Sequence, residues 1–237
     1  MIKEVIFDID STLYDYEIGH AEGMKCMEAY IQEHFQIAPQ EFRDAYRHHQ
    51  KALTNQLGED NAAIHSRSIR IQNMLEAWKQ PLFPHLNHLY HAYWDTLLEV
   101  SKPEPGVLTC MKSLKEMGIS MGIGTDMTAM MQYKKLEVLG ISPYITHIVT
   151  SQEAGVEKPH PDFMLLCIRK SGFLPEECLF VGDHIRKDVW GAVTSGMYGI
   201  WYNAKGKTIP EGLEIPDNRY QEIRHFDELI PCLKSIK

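Results

Sequence analysis

The stretch "FDIDST", residues 7–12, decides how this chain is read. The apolar run Val5-Ile6-Phe7 leads into it and has the composition of a buried strand. Two carboxylates follow, Asp8 and Asp10, separated by one apolar residue. In an extended segment residues i and i+2 face the same side, so the two acids project together if the extended form continues past Asp8. Like charges at that range repel unless a cation or a shared proton relieves them. Taken alone, such a pair also fits one acid capping a turn and the other standing in water. The rest of the chain separates these readings.

Composition narrows the classes. The chain has 237 residues, 44% hydrophobic and 24% charged, as in an ordinary globular protein of one large or two smaller domains. A net charge of −8 argues against nucleic-acid binding driven by bulk charge, although a local cation can still hold an anionic substrate. No apolar run approaches the ~20 residues of a membrane span. "MIKEVIFDID" reads as a first strand, too acidic and too short for a signal peptide. Five scattered cysteines, Cys26, Cys110, Cys167, Cys178 and Cys232, form no C-x-x-C pair. They suit free thiols in a reducing cytoplasm better than a disulfide framework or a zinc site.

Two textures follow one another along the chain. Residues 15–100 are helical in pattern, with helices expected over 17–35, 40–57, 61–78 and 86–100. Met24, Met27, Ile31 and Phe35 form an apolar stripe in the first, and Asn61 is placed to cap the third. After "KPEPG" (102–106), strand-length apolar runs alternate with helices: "ISMGIGT" (119–125) and a helix over 128–139, then "HIVTS" (147–151) and a helix over 161–171. "CLFVGD" (178–183) precedes a helix over 186–195 and "YGIWYN" (198–203), and a last helix is expected over 226–235. Such alternation implies βαβ units and a doubly wound, Rossmann-like parallel sheet. The expected organisation is an α/β core of residues 1–14 and 103–237, with residues 15–102 inserted as an all-helical domain.

Open parallel sheets bind ligands at the carboxyl ends of their strands. Four polar sets fall there: Asp8 with Asp10, Thr125 with Asp126, Lys158 in the loop after "HIVTS", and Asp183 after Gly182 with Asp188 one turn further. Each has a plain structural reading: Thr125 or Asp183 as a helix cap, Lys158 as a solvated loop residue. All four at corresponding places on successive strands point to a site.

In order and spacing, "FDIDST", "GIGTD", "EKPHPDF" and "VGDHIRKDVWGA" resemble the haloacid-dehalogenase-like hydrolase superfamily, its phosphatase branch in particular. The resemblance covers residues 1–14 and 103–203, and the helical insertion resembles the family's cap domain. Ser11 departs from the Gly or Asp usual in the family. Asp10 is the acid that the family's dehalogenases lack. The resemblance implies Asp8 as nucleophile, giving an aspartyl-phosphate, and Asp10 as general acid and base. It implies Mg²⁺ held by the Asp8 carboxylate, the Asp10 carbonyl and Asp183, with Asp188 as ligand or as orienting group. It implies Thr125, Asp126 and Lys158 as substrate-binding groups, Thr125 donating to a phosphoryl oxygen and Lys158 offsetting charge. The connections at Tyr14-Asp15-Tyr16 and Ser101-Lys102-Pro103 are the expected hinges of the cap.

The histidine triplet His85, His88 and His91 and the pair His48-His49 lack a completing ligand set. They read as solvated or packing groups, as Trp78, Tyr90, Tyr93 and Trp94 read as core of the helical block. His184 is placed to touch the site. The G-x-G of "MGIGTD" lacks the third glycine of a dinucleotide fingerprint. The expected function is hydrolysis of a small phosphorylated metabolite, a nucleoside monophosphate or sugar phosphate. The expected enzyme is a monomer or homodimer with no nucleic-acid or membrane partner. A phosphomutase on the same scaffold and a non-catalytic regulatory protein are the alternatives.

Overall fold

The computed structural model describes residues 1–216 and 219–236. The chain divides into two compact units, Met1–Asp15 with Lys102–Lys237, and Tyr16–Ser101.

The first unit is built on six parallel strands in the order β3-β2-β1-β4-β5-β6. These are β1 (Glu4–Phe7), β2 (Ser120–Thr125), β3 (His147–Thr150), β4 (Cys178–Gly182), β5 (Tyr198–Tyr202) and β6 (Tyr220–Ile223). Val5, Ile6 and Phe7 are wholly buried because β1 lies in the middle of the sheet with helices on both faces. Its register sets Phe7 beside Ile123 of β2 and Val181 of β4, so the residues just beyond all three strands reach the same edge. Regular pairing of β1 ends at Phe7, and past it the Asp8 amide still donates to the Val181 carbonyl at 2.9 Å. Ile6, Val149, Phe163, Met164, Cys167 and Phe180 form one part of the core.

In the second unit run α1 (Tyr16–Phe35), α2 (Pro39–Leu57), α3 (Arg67–Ala77) and α4 (His85–Val100). The stripe expected on α1 is partly corrected. Its buried residues are Gly19, Gly23, Met27 and Ile31, while Met24 and Phe35 are half-buried. A Cβ on Gly19 would stand 2.9 Å from Leu97, and one on Gly23 2.8 Å from the Tyr93 carbonyl. The two glycines therefore let α1 and α4 approach backbone to backbone. The third expected helix is also corrected. Asn61 caps only a 3₁₀ turn, Ala62–His65, and the α-helix starts anew with Ser66 accepting from the Ile69 amide at 3.3 Å.

The remaining helices are α5 (Val107–Glu116), α6 (Ala129–Val138), α7 (Ser151–Ala154), α8 (Pro161–Ser171), α9 (Gly191–Thr194) and α10 (Leu229–Ser235). Helix α7 lies outside the expectations, as do α5 and β6. Helix α5 buries Val107, Cys110, Met111 and Leu114, a 3.6-period pattern that the strand–helix alternation passed over. Strand β6 reads "YQEI", half polar because it lies at the sheet's edge, so no apolar run announces it. The helix expected over 186–195 divides into a π-helical turn, Ile185–Trp190, and α9.

Candidate active site

The polar residues named above meet at the carboxyl edge of the sheet. Asp8, 7% exposed, follows β1, and Lys158, 3% exposed, reaches it from the loop between α7 and α8. The Lys158 ammonium lies 2.8 Å from Asp8 Oδ1 and 2.7 Å from Asp188 Oδ1, so it is an internal counter-ion and not a solvated loop lysine. The other Asp188 oxygen accepts the His184 amide at 2.9 Å. The His184 ring is exposed and accepts from the Lys187 amide at 3.2 Å, so this residue meets the cluster through its backbone. Gly182 makes room for Asp188: a Cβ there would stand 2.3 Å from the Asp188 carboxyl carbon.

Asp183 completes the acidic group. Its amide donates to Thr12 Oγ1 at 3.0 Å, its carbonyl accepts Trp201 Nε1 at 3.0 Å, and its carboxylate accepts Lys207 Nζ at 2.7 Å. One carboxylate oxygen from each of Asp8, Asp183 and Asp188 lies within 4.8 Å of the others, and among the described residues no other such group of three His, Cys, Asp or Glu occurs. Burial pushes the Asp8 carboxyl up to about 8 against the pull of Lys158, with the Asp188 and Asp10 charges adding to the rise. Burial and then Asp188 likewise raise Asp183. Three hard oxygen donors crowded beyond what the neighbouring lysines offset make a set that a small divalent cation fits.

Asp10 has its own surroundings, which the sequence reading missed. Lys135, wholly buried on α6, donates to its two oxygens at 2.6 and 2.8 Å. The Tyr14 hydroxyl donates to it at 2.5 Å and Gln132 Nε2 at 3.0 Å. Burial acts to raise the Asp10 carboxyl, but the Lys135 charge and these hydrogen bonds outweigh it and hold the group below the usual carboxylate range. The two acids of D-x-D are thus separated electrically, one answered by Lys158 and the other by Lys135. The signal for Lys135 was present as Gln132-x-x-Lys135, a spacing that puts both polar groups on one helix face. It was indistinguishable from a solvated face until packing showed Lys135 to be buried.

Thr125, 1% exposed, is not a helix cap: α6 begins four residues later. Its hydroxyl accepts Gln132 Nε2 at 2.7 Å and donates to the Asp126 carbonyl at 3.3 Å. Asp126 turns the other way, accepting the Lys158 amide at 2.9 Å and Lys187 Nζ at 2.8 Å. It braces the lysine loop. The turn is strained, since Met127 sits at φ 106° with its amide donating to Ser151 Oγ at 2.7 Å. Ser11, at φ 62°, occupies the left-handed region that favours glycine, which gives the departure at this position a small backbone cost.

The histidine triplet is not among these groups. His85 and His88 each bond the Tyr30 hydroxyl, at 2.9 and 3.0 Å, and His91 lies 3.3 Å from Asp95.

Fold and site together define a Rossmann-like α/β enzyme with a buried carboxylate–lysine constellation at its strand ends. The model of the haloacid dehalogenase-like hydrolases matches residues 2–196, and the chain belongs to that family. A glyceraldehyde 3-phosphate phosphatase of Methanopyrus kandleri is 32% identical over 199 residues, 83% of this chain and 82% of that one. A ribulose-1,5-bisphosphate 5-phosphatase of Halopiger xanaduensis is 28% identical, covering 86% of this chain and 85% of its own. Among solved structures, the HAD-hydrolase YfnB of Bacillus subtilis bound to magnesium superposes with a TM-score of 0.71 at 22% identity, covering 98% of each chain.

Proposed function

We propose that this chain is a Mg²⁺-dependent phosphatase that hydrolyses a small phosphomonoester through an aspartyl-phosphate on Asp8, with sugar phosphates as the first substrate class to assay. The observation that carries the reading is the division of the two acids: Asp8 beside Lys158 and two further carboxylates, Asp10 apart with Lys135, Tyr14 and Gln132. A dehalogenase needs a nucleophilic carboxylate alone. A held second acid is what a leaving alkoxide and an attacking water require. The names of the relatives above support phosphate esters, and sugar phosphates before nucleotides.

Asp8, Asp183, Asp188 and the Asp10 carbonyl would hold Mg²⁺, which when bound supplies charge neutralisation between nucleophile and phosphate. Lys158, 2.8 Å from Asp8 Oδ1, would share that task. An Asp8 oxygen attacks phosphorus, the ester P–O bond breaks, and the leaving oxygen takes a proton from Asp10. Held ionised by Lys135, Asp10 acts as an acid once it has taken up the proton that a phosphomonoester monoanion carries. It then removes a proton from the water that hydrolyses the aspartyl-phosphate and returns Asp8. The Thr125 hydroxyl donates to a phosphoryl oxygen in place of its present bond to the Asp126 carbonyl.

The test is rapid quench with labelled aryl phosphate and Mg²⁺, followed by peptide mapping. Wild type should turn over with label on Asp8. Asp8→Asn should carry none. Asp10→Asn should be labelled and then stall. Label elsewhere, or turnover undiminished in excess chelator, overturns the proposal.

A further inference from the structure

The lysines at the carboxyl edge of the sheet differ in how firmly they are held. Lys135 is wholly buried against Asp10, and Lys158 is buried between Asp8 and Asp188, 2.8 and 2.7 Å from their oxygens. Lys207 serves the third acid of the oxygen set, Asp183, at 2.7 Å. It does so from the solvent side: its side chain is 49% exposed, against 17% for that of Asp183. A buried ammonium leaves its carboxylate only at large cost. A half-exposed pair contributes little, so Lys207 can turn into water.

The turn that presents Lys207 is built independently of that ion pair. Asn203, 3% exposed, follows β5 directly. Its Oδ1 accepts the Lys207 amide at 2.7 Å, and its Nδ2 donates to the Lys207 carbonyl and to Glu222 Oε1 of β6, each at 2.9 Å. The Asn203 amide donates to the Ile223 carbonyl at 2.8 Å. Gly206, at φ 63°, closes the turn by donating to the Asn203 carbonyl at 3.1 Å. Lys205, in the same turn, lies 3.3 Å from Asp15. A buried amide at the ends of β5 and β6 thus fixes the backbone at position 207, and the Lys207 side chain is the part that can move.

We infer that Lys207 and a divalent cation compete for the Asp183 carboxylate, so that the charge at position 207 sets how tightly the cation is held, a reading that rests on the Mg²⁺ site proposed above. Electrostatics sets the direction. Three ionised carboxylates, the fixed Lys158 and one divalent cation are together neutral. Lys207 kept against Asp183 adds a positive charge next to the cation. A unit charge about 6 Å from a divalent ion changes its binding roughly tenfold even in the dielectric of water. Turning the ammonium into solvent relieves that repulsion and frees the Asp183 oxygen.

The experiment is calorimetric titration of the full chain with Mg²⁺ at constant pH, for wild type, Lys207→Met and Lys207→Arg. Lys207→Met should bind Mg²⁺ about tenfold more tightly. Lys207→Arg keeps the charge and should stay near wild type. An affinity unchanged or weakened in Lys207→Met, or raised equally in both variants, overturns the proposal. A second measurement follows the ammonium itself in wild type, by reductive methylation read residue by residue with mass spectrometry. Mg²⁺ should speed labelling of Lys207 and leave unchanged that of Lys3, paired with Glu177 at 2.6 Å beside the far end of β1. Labelling of Lys207 that Mg²⁺ does not alter also overturns the proposal. Asp183→Asn tells the two possible failures apart. If it binds Mg²⁺ as wild type does, the cation lies elsewhere and the site proposed above fails, the competition with it. If its binding is lost while Lys207→Met matches wild type, only the competition fails.

Discussion

Replacing Lys135 by Met removes the cation that holds Asp10. The ammonium is wholly buried, Asp10 keeps 27% of its side chain exposed, and the pair is 2.6 Å apart. Breaking a buried ion pair from one side costs roughly 3–5 kcal/mol, because a buried charge is left behind. The residual exposure of Asp10, with the Tyr14 and Gln132 bonds that remain, places the expected loss at the low end, about 3 kcal/mol. At about 2–4 °C per kcal/mol for a chain of this size, the melting temperature should fall by about 6–12 °C. Asp10→Asn combined with Lys135→Met removes the stranded charge as well and should recover most of that loss. The chemistry has a matching sign. Wild-type Asp10 is held below its ordinary range, so the pair's stabilisation is present at neutral pH and lost as pH falls through the folded value. Without Lys135, burial dominates and the carboxyl rises, so the ionised base forms at higher pH. The acid limb of kcat should therefore move toward alkaline pH in the single variant. The assays are thermal melting of the four proteins of the cycle and pH–rate profiles of wild type and Lys135→Met. A loss below about 1 kcal/mol, a double variant no more stable than the single, or an unmoved acid limb would refute the reasoning.

Mg²⁺ should raise the melting temperature of wild type and leave that of Asp183→Asn unchanged; equal shifts in the two place the cation elsewhere. Gly182→Ala puts a Cβ 2.3 Å from the Asp188 carboxyl carbon, so it should cost about 1–3 kcal/mol and disrupt the Lys158–Asp188 bond. An unchanged melting temperature and turnover would show that the strand end yields without strain. Glu4, wholly buried at the opposite end of β1 with His147 3.6 Å away, is pushed up to about 7 by burial, against a smaller opposing pull from Ser120. The folded state therefore holds the extra proton between the ordinary carboxylate range and neutrality. Stability attributable to this group is full below pH 4.5 and is lost, up to roughly 3 kcal/mol, as pH rises to about 7. Glu4→Gln should flatten that part of the melting profile, and an unaltered slope would show that Glu4 does not titrate there.

Much of the core was legible because its signals are local. A buried parallel strand needs a continuous apolar run, and Val5-Ile6-Phe7, "ISMGIGT" and "CLFVGD" supply three. Strand ends are where polar groups of such a sheet collect, so Asp8, Asp10, Thr125, Asp126, Lys158, Asp183 and Asp188 could be named from position alone. Their partners could not. Lys135 and Gln132 sit in a helix whose polar pattern is that of a solvated face, and only packing reveals that Lys135 is buried. Asp126 reads as part of a substrate-binding pair, yet the fold turns it onto the Lys158 amide and Lys187. Gly19 and Gly23 carry no signal in the apolar pattern, yet packing brings α4 to where a Cβ on them would stand 2.9 and 2.8 Å from its atoms. Arg67 and Arg70 look like ordinary helix-surface arginines, and their burial among tyrosines comes from three helices and a turn far apart in sequence. Period and composition report which residues must leave water. Which buried charges face one another depends on distances between segments that no local pattern encodes.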